Sequence, residues 1–467
     1  MRATLKIFLW LLVCVVTVGL LSAQTPPTTQ TPQREESTPS SYPSRTTGLA
    51  ALLKVGVQTT SAEVVAGRLR AACVKVNITP DKPQWLMGYR PRLSEGIHDN
   101  LYHRIVAMDD GKTQFFLVST DILVFPPSFY DEFCKELEKE TGIEAGQVWW
   151  TVTHTHSAPE VSSPDRYTHV KNPEYTKWVK DALIEGLREA RSKLEPARFG
   201  VGIGTSLANI NRREMTADGQ YQLGANPEGP VDRQIGLIRL ERLDGSLVAL
   251  IANYAMHATV LGEQNSLISA DAPGLVAEYV EEKIGAPMLY INGAEGNIAP
   301  IYSGFPDFES SHIDEFNTLL GDKILEANRS IRTMSSDVRF WIGETVIETP
   351  RKADFEYDLG DYSRVTNEGV NLVRIPVYFL KINSDIAIWG APVELFCEIA
   401  MNVRDKSPYP YTFYFGLTNG TLPYQWYLPT KQAFAEGGFE PSVSPFTRQA
   451  EEDFTQGVTT YLQGMPR

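Results

Sequence analysis

The stretch Gln114-Phe115-Phe116-Leu117-Val118-Ser119-Thr120-Asp121-Ile122-Leu123, followed by 127–142 and then by Val148-Trp149-Trp150-Thr151-Val152, decides the fold of this chain. The first run reads as a buried strand, 127–142 as an amphipathic helix closed by the stop signal Thr141-Gly142, and the third run as a second strand. Strand, helix, strand in that order marks an α/β sheet, in which ligands gather beyond the carboxyl ends of strands. The run Thr153-His154-Thr155-His156-Ser157-Ala158-Pro159 leaves the second strand at such an end and holds two of the seven histidines. If extended backbone continues through Thr155, His154 and His156 face the same side. Imidazole is both a common zinc ligand and the usual proton carrier near neutral pH, so one ring can bind metal while the other handles a proton. Taken alone, the pair fits two solvated loop histidines equally well.

Outward from this unit the same grammar continues. A long helical pattern covers 175–194, a hairpin is expected from 234–240 and 247–255 with its turn at Asp244-Gly245, a helix over 272–283 and a buried strand over 287–292. That strand breaks at Gly293-Ala294-Glu295-Gly296-Asn297. No repeat of fixed period appears, and no Pro/Gly-rich linker interrupts the chain from Leu69 to Leu462. The expected architecture is α/β, with mixed β-sheets, two of them packed together, flanked by helices in a single large catalytic domain.

The amino terminus addresses the compartment. Arg2 and Lys6 precede an apolar run ending in Leu21-Ser22-Ala23, the layout of a secretory signal peptide cleaved near Ala23. The expected organisation is a signal peptide over 1–23, a disordered Pro/Thr/Ser/Gln-rich linker over 24–47 and the folded domain over 48–467, exported to a periplasmic, extracellular or cell-surface location. The chain carries 43 basic and 57 acidic residues, and loss of Arg2 and Lys6 makes the mature form more acidic still. Nucleic acid is therefore excluded as a partner, since no basic stripe is present to hold it. Cys73, Cys134 and Cys397 are odd in number and lack CxxC spacing, which signals neither a disulfide framework nor a thiolate metal site; one long-range disulfide remains an open option.

Further candidates lie far from the first motif. His257 ends a second strand-like run, Asn253-Tyr254-Ala255-Met256-His257, as His154 ends the first. Glu394 follows the apolar run Ile386-Ala387-Ile388-Trp389; a carboxylate there either begins a helix or binds something, because an ionised group is costly to bury unpaired. Tyr424 and Tyr427 sit in an aromatic segment where packing is the plain role. Arg212, in Asn209-Ile210-Asn211-Arg212, can aim a guanidinium at a carbonyl or carboxylate.

The joint order of these strings resembles the neutral, non-lysosomal ceramidase family from about Arg70 to Glu440. Met87-Gly88-Tyr89, Gly96-Ile97-His98 and Val118-Ser119-Thr120-Asp121 are similar to its amino-terminal stretch. The run from Thr153 to Pro159 matches its Thr-His-Thr-His-Ser-Gly-Pro motif except at Ala158. Ala208 to Arg212, Asn253 to His257 and Ile268 to Gly274 resemble three later motifs. The resemblance implies a single Zn2+ held by His154, His257, Glu394 and Tyr427, with His156 moving protons and Arg212 stabilising the carbonyl oxygen. Asp121 or Asp271 would orient a ligand from behind, and Glu295 is a candidate proton donor or acceptor.

Three departures stand out. Ala299, in Gly296-Asn297-Ile298-Ala299-Pro300, occupies the family serine position, Phe439-Glu440 replaces a Tyr-Glu pair, and the chain ends at Arg467 without the carboxyl-terminal immunoglobulin-like domain of the family. An alanine side chain cannot attack, donate or accept. The expectation is thus an exported zinc-dependent amidohydrolase in which metal-activated water attacks an N-acyl bond. Its substrate would be a ceramide-like lipid or a related N-acyl compound, and contact with a membrane surface is an open option. The alternatives are a metal-binding pseudoenzyme that recognises a lipid or glycan, and a zinc hydrolase acting on an ester or another bond.

Overall fold

Alternation of side chains along the strands builds the core. In Tyr102–Asp109, Ile105 and Ala107 point to one face and Val106 and Met108 to the other; Gln114–Thr120 divides Phe116 and Val118 from Phe115 and Leu117 in the same way. The first set packs under the helices Pro127–Thr141 and Pro173–Ser192 with Val179, Leu183 and Leu187. The second set meets Leu380, Ile382, Ile386, Ile388, Phe413 and Phe415 of a second sheet. The far face of that sheet, with Val377, Phe379 and Trp389, is covered by Cys397–Lys406 and Ala450–Gly464. Helix, sheet, sheet, helix is the resulting layer order, as the sequence leads one to expect.

The computed structural model describes residues 69–161, 172–303, 312–355, 357–421 and 426–466. The expected signal peptide and linker, and Tyr424, lie outside the described residues. Those residues form part of one compact unit, Val64–Arg467. Among them no helix is long and apolar enough to cross a membrane. Cys73, Cys134 and Cys397 are all unbridged, and burial pushes the thiols of Cys73 and Cys134 up to about 12, which leaves them inert.

The large sheet runs, in spatial order, Met288–Asn292, Leu247–Tyr254, Gln234–Arg242, Glu195–Thr205, Arg70–Asn77, Tyr102–Asp109, Gln114–Thr120 and Val148–Val152. Its interior pairings are antiparallel, including the expected hairpin, while the outermost pair at each edge is parallel. The two edges face each other. Ser119 Oγ donates to the Tyr290 carbonyl at 2.6 Å, and Thr155 bridges to Ala258. In the second sheet Ile386–Ala391 and Tyr411–Gly416 form a third parallel pair. Asn253 Nδ2 ties this pair to one edge of the large sheet, donating to the carbonyls of Ile291, Asn292 and Tyr414 at 3.1, 3.1 and 2.9 Å. The carboxyl ends of three parallel pairs therefore converge on one place.

The first expected strand is three residues too long. It stops at Thr120, because Asp121 turns aside to accept from the Tyr102 N–H and from Arg104, and the Ile122 carbonyl is taken by the His154 N–H. Nearby, His103 is fully buried, with Nδ1 2.7 Å from Thr120 Oγ1 and Nε2 3.0 Å from the Val179 carbonyl. The Trp150 Nε1–H occupies Thr120 Oγ1 as an acceptor, so the hydroxyl donates to His103 Nδ1 and the ring keeps its proton on Nε2. Burial lowers this imidazole from 6.5 to about 4. Its folded value lies below its unfolded one, so the stability of the neutral ring is in place above pH 6.5 and is lost as pH falls through about 4. The loss should reach about 3 kcal/mol. Urea midpoints at neutral pH and near pH 4 should therefore diverge more for the native chain than for His103→Gln, and equal divergence would remove His103 from the account.

Candidate metal centre

Each candidate ligand stands two or three residues beyond a parallel-paired strand: His154 after Val148–Val152, His257 after Leu247–Tyr254, Glu295 after Met288–Asn292 and Glu394 after Ile386–Ala391. All four are buried. The condition that extended backbone continues through Thr155 is not met, since the strand ends at Val152 and His154 adopts φ 66°, a left-handed turn. The rings nevertheless come together. Their centroids are 5.1 Å apart for His154 and His156, 4.8 Å for His154 and His257, and 5.9 Å for His156 and His257.

Backbone carbonyls fix all three rings. Nδ1 lies 3.0 Å from Leu123 O in His154, 2.8 Å from Glu295 O in His257 and 3.0 Å from Gly88 O in His156. A carbonyl only accepts, so each Nδ1 carries a proton, and in a neutral ring Nε2 then keeps its lone pair. Glu394 Oε2 sits 3.1 Å from His257 Nε2 and 3.5 Å from His154 Nε2. Lone pairs facing a carboxylate at these distances lack a shared proton. The donor set is that of a divalent cation, and the buried Nε2 of His156 and both carboxyl oxygens of Glu295 have no hydrogen-bond partner. Ligand atoms of His154, Glu295 and Glu394 all lie within 4.8 Å of one another.

The electrostatics follow the same geometry. Burial, then Arg212, lowers His257 to about 3, and burial with the neighbouring His154 and His257 rings holds His156 well below the usual imidazole range. For Glu394 burial pushes up, but charge and Nε2–H donation from His154 and His257 in their protonated forms hold the carboxyl well below normal, the direction in which a cation between them would also act. Glu295 goes the other way, raised well above normal by burial and by the Glu394 charge. Burial and Glu394 also suppress the acidity of the Tyr427 phenol.

Pairing register brings in the remaining residues. Glu394–Leu395 pairs in parallel with Tyr427–Leu428, Glu394 opposite Tyr427, so Glu394 is part of a short ladder rather than a helix cap. Arg212, on Asn209–Met215, donates its N–H to Asn297 O and its Nε to Glu440 Oε1 at 3.0 Å, while its Nη2 is buried without a partner. Its guanidinium carbon lies 5.3 Å from the centre of the Tyr427 ring. Ala299 pairs opposite Ile210 in the strand Ile298–Pro300, and the Phe439 ring is 5.9 Å from Tyr427. Both departures from the resemblance therefore sit beside the site.

Asp121 and Asp271 do not bond a histidine. Asp121 pairs with Arg104 at 2.8 Å, and Asp271 accepts from the N–H groups of Val260 and Leu261, pinning the loop that follows His257. Backbone carbonyls perform the orienting instead. Two contributors were not singled out in the sequence. Gly88, at φ 111°, brings its carbonyl to His156 so closely that an added Cβ would lie 2.7 Å from the ring, and the Tyr89 ring packs against His156 at a tilt, centroids 4.9 Å apart. The string Met87-Gly88-Tyr89 was the available signal, but it carried no role.

Fold and site define a two-sheet α/β protein with a buried histidine–carboxylate centre suited to a divalent cation. Residues 77–303 match the family model described as neutral/alkaline non-lysosomal ceramidase, N-terminal. Among curated proteins the chain is 24% identical over 242 residues to the neutral ceramidase of Pseudomonas aeruginosa, covering 48% of this chain and 36% of that one. It is 25% identical over 302 residues to that of Oryza sativa subsp. japonica, covering 60% and 38%. The chain thus matches little more than a third of these relatives' length. Among solved structures, the crystal structure of the Pseudomonas aeruginosa neutral ceramidase superposes with a TM-score of 0.69 at 17% identity, over 86% of this chain and 75% of that one. These findings establish the resemblance read from the motifs: the chain is a relative of the neutral/alkaline non-lysosomal ceramidases. Glu394 and Tyr427 lie beyond the matched segment.

Proposed function

We propose that this chain is an exported zinc-dependent hydrolase that cleaves an N-acyl amide bond, in a ceramide-like lipid or a related N-acyl compound, with water as nucleophile. One observation carries the reading: two imidazoles, His154 and His257, with Nδ1 tied to carbonyls turn their Nε2 atoms toward one buried carboxylate, Glu394, with the His156 ring in the same cluster. His154, His257 and Glu394 would hold the ion, with Tyr427 beside Glu394. Such an ion, when bound, lowers the pKa of water toward neutrality and polarises a carbonyl. His156 is placed to take a proton from the attacking water and return it to the leaving nitrogen, since its Nε2 carries a lone pair and no partner. The unpartnered Nη2 of Arg212 is placed to receive the carbonyl oxygen as it gains charge. Ala299 offers no nucleophile, so no acyl-enzyme forms at that position.

Ala299 and Phe439 also favour a second reading, a zinc protein that captures a lipid without turning it over. Metal analysis of the purified chain and a panel of N-acyl amides with matched esters separate the two. Stoichiometric zinc with amide turnover is the expected result. Zinc with ligand capture but no turnover supports the second reading, most clearly if Ala299→Ser then confers turnover. Absence of zinc from protein expressed and purified with it sinks both.

A further inference from the structure

We propose that Glu295 is itself a ligand to the ion, making the centre one of two imidazoles and two carboxylates; the inference rests on the metal reading above. Glu295 is fully buried, and neither carboxyl oxygen meets a donor. An isolated carboxylate in such a place is costly unless a cation is near. One of its oxygens lies within 4.8 Å of a ligand atom of both His154 and Glu394. The turn that carries it is held rigidly. Gly296 N–H donates to Leu395 O at 2.9 Å, an added Cβ at Gly296 would lie 2.5 Å from Glu394 O, and Ile298 N–H returns to Glu295 O at 2.7 Å. The same Glu295 carbonyl accepts from His257 Nδ1, so main chain and side chain of one residue address two sides of the centre. Two carboxylates and two neutral imidazoles around a divalent ion carry no net charge, which suits a buried position. A second oxygen ligand also shifts the donor set toward harder ions than a histidine-dominated site would prefer.

The test titrates metal-free protein with Zn2+ against a competing chelator and with Co2+ followed in the visible spectrum. Glu295→Gln should weaken Zn2+ binding by roughly 10–100-fold or more and change the Co2+ absorption. Glu295→Asp keeps the charge but withdraws it by one methylene, and it should also weaken binding. Without metal, Glu295→Gln should melt no lower than the native chain, because neither carboxyl oxygen has a hydrogen-bond partner to lose, whereas with metal the order should reverse. Native-like Zn2+ affinity and Co2+ spectrum in Glu295→Gln would overturn the proposal and leave the metal reading standing. Native-like binding in Glu295→Asp would reduce Glu295 to a distant charge and overturn it as well. A native chain that binds no metal would end the metal reading itself.

Discussion

His257→Ala should strip stoichiometric zinc from the protein and lower kcat/KM on its best amide by about 10³-fold or more, several kcal/mol of lost charge stabilisation. The ring is fully buried, its Nδ1 is shared between the carbonyls of Glu295 and Ile298 at 2.8 and 3.1 Å, and its Nε2 is the imidazole atom nearer to Glu394. Alanine removes the ligand and leaves Glu394 facing only His154. His154→Ala should act in the same direction, since its ring closes the other side. Metal content and steady-state rates measured on one preparation check this. Near-native zinc with hydrolysis within a few-fold of the native chain, in both variants, would refute the assigned centre.

Arg212→Ala should cost about 10² to 10³ in kcat with little change in KM, the pattern of a group that acts on the transition state. The argument is positional. Glu440 fixes the guanidinium through Nε, Tyr427 lies against its face, and Nη2 remains as an enclosed donor. The variant should still fold because Arg213 Nη1 keeps Glu440 paired at 2.9 Å. Lysine should not rescue, since an ammonium cannot bond Glu440 and a substrate oxygen with the same fork. A change confined to KM would reassign Arg212 to substrate binding.

Much of this molecule is legible along the chain. The period-two runs and the Thr141-Gly142 stop mark the elements around the first motif, and the likeness of strand endings at His154 and His257 points to shared geometry. Other features depend on contacts far apart in sequence. The meeting of the two sheet edges rests on pairs such as Ser119 with Tyr290, for which no local pattern exists. The left-handed turn at His154 is imposed by the Ile122 and Leu123 carbonyls, which hold its N–H and ring. Glu295, in a glycine-flanked segment that looks like a surface turn, is buried by residues far off in sequence, with Leu395 bonded to the next residue, Gly416 against its carboxyl, and His154 and Glu394 close by.

The convergence of parallel-pair carboxyl ends gives the protein a working end and an idle end. The hairpin turn at Asp244-Gly245 lies at the start of Leu247–Tyr254, a full strand away from His257, and carries none of the candidate residues. Loops on that side can lengthen or diversify without disturbing the chemistry, whereas at the other side a single inserted residue between strand and side chain would swing a ligand out of place. Variation among relatives of this chain should therefore be lopsided, with length changes tolerated at one pole and changes of reactive group, such as Ala299 and Glu295, written into segments of fixed length at the other.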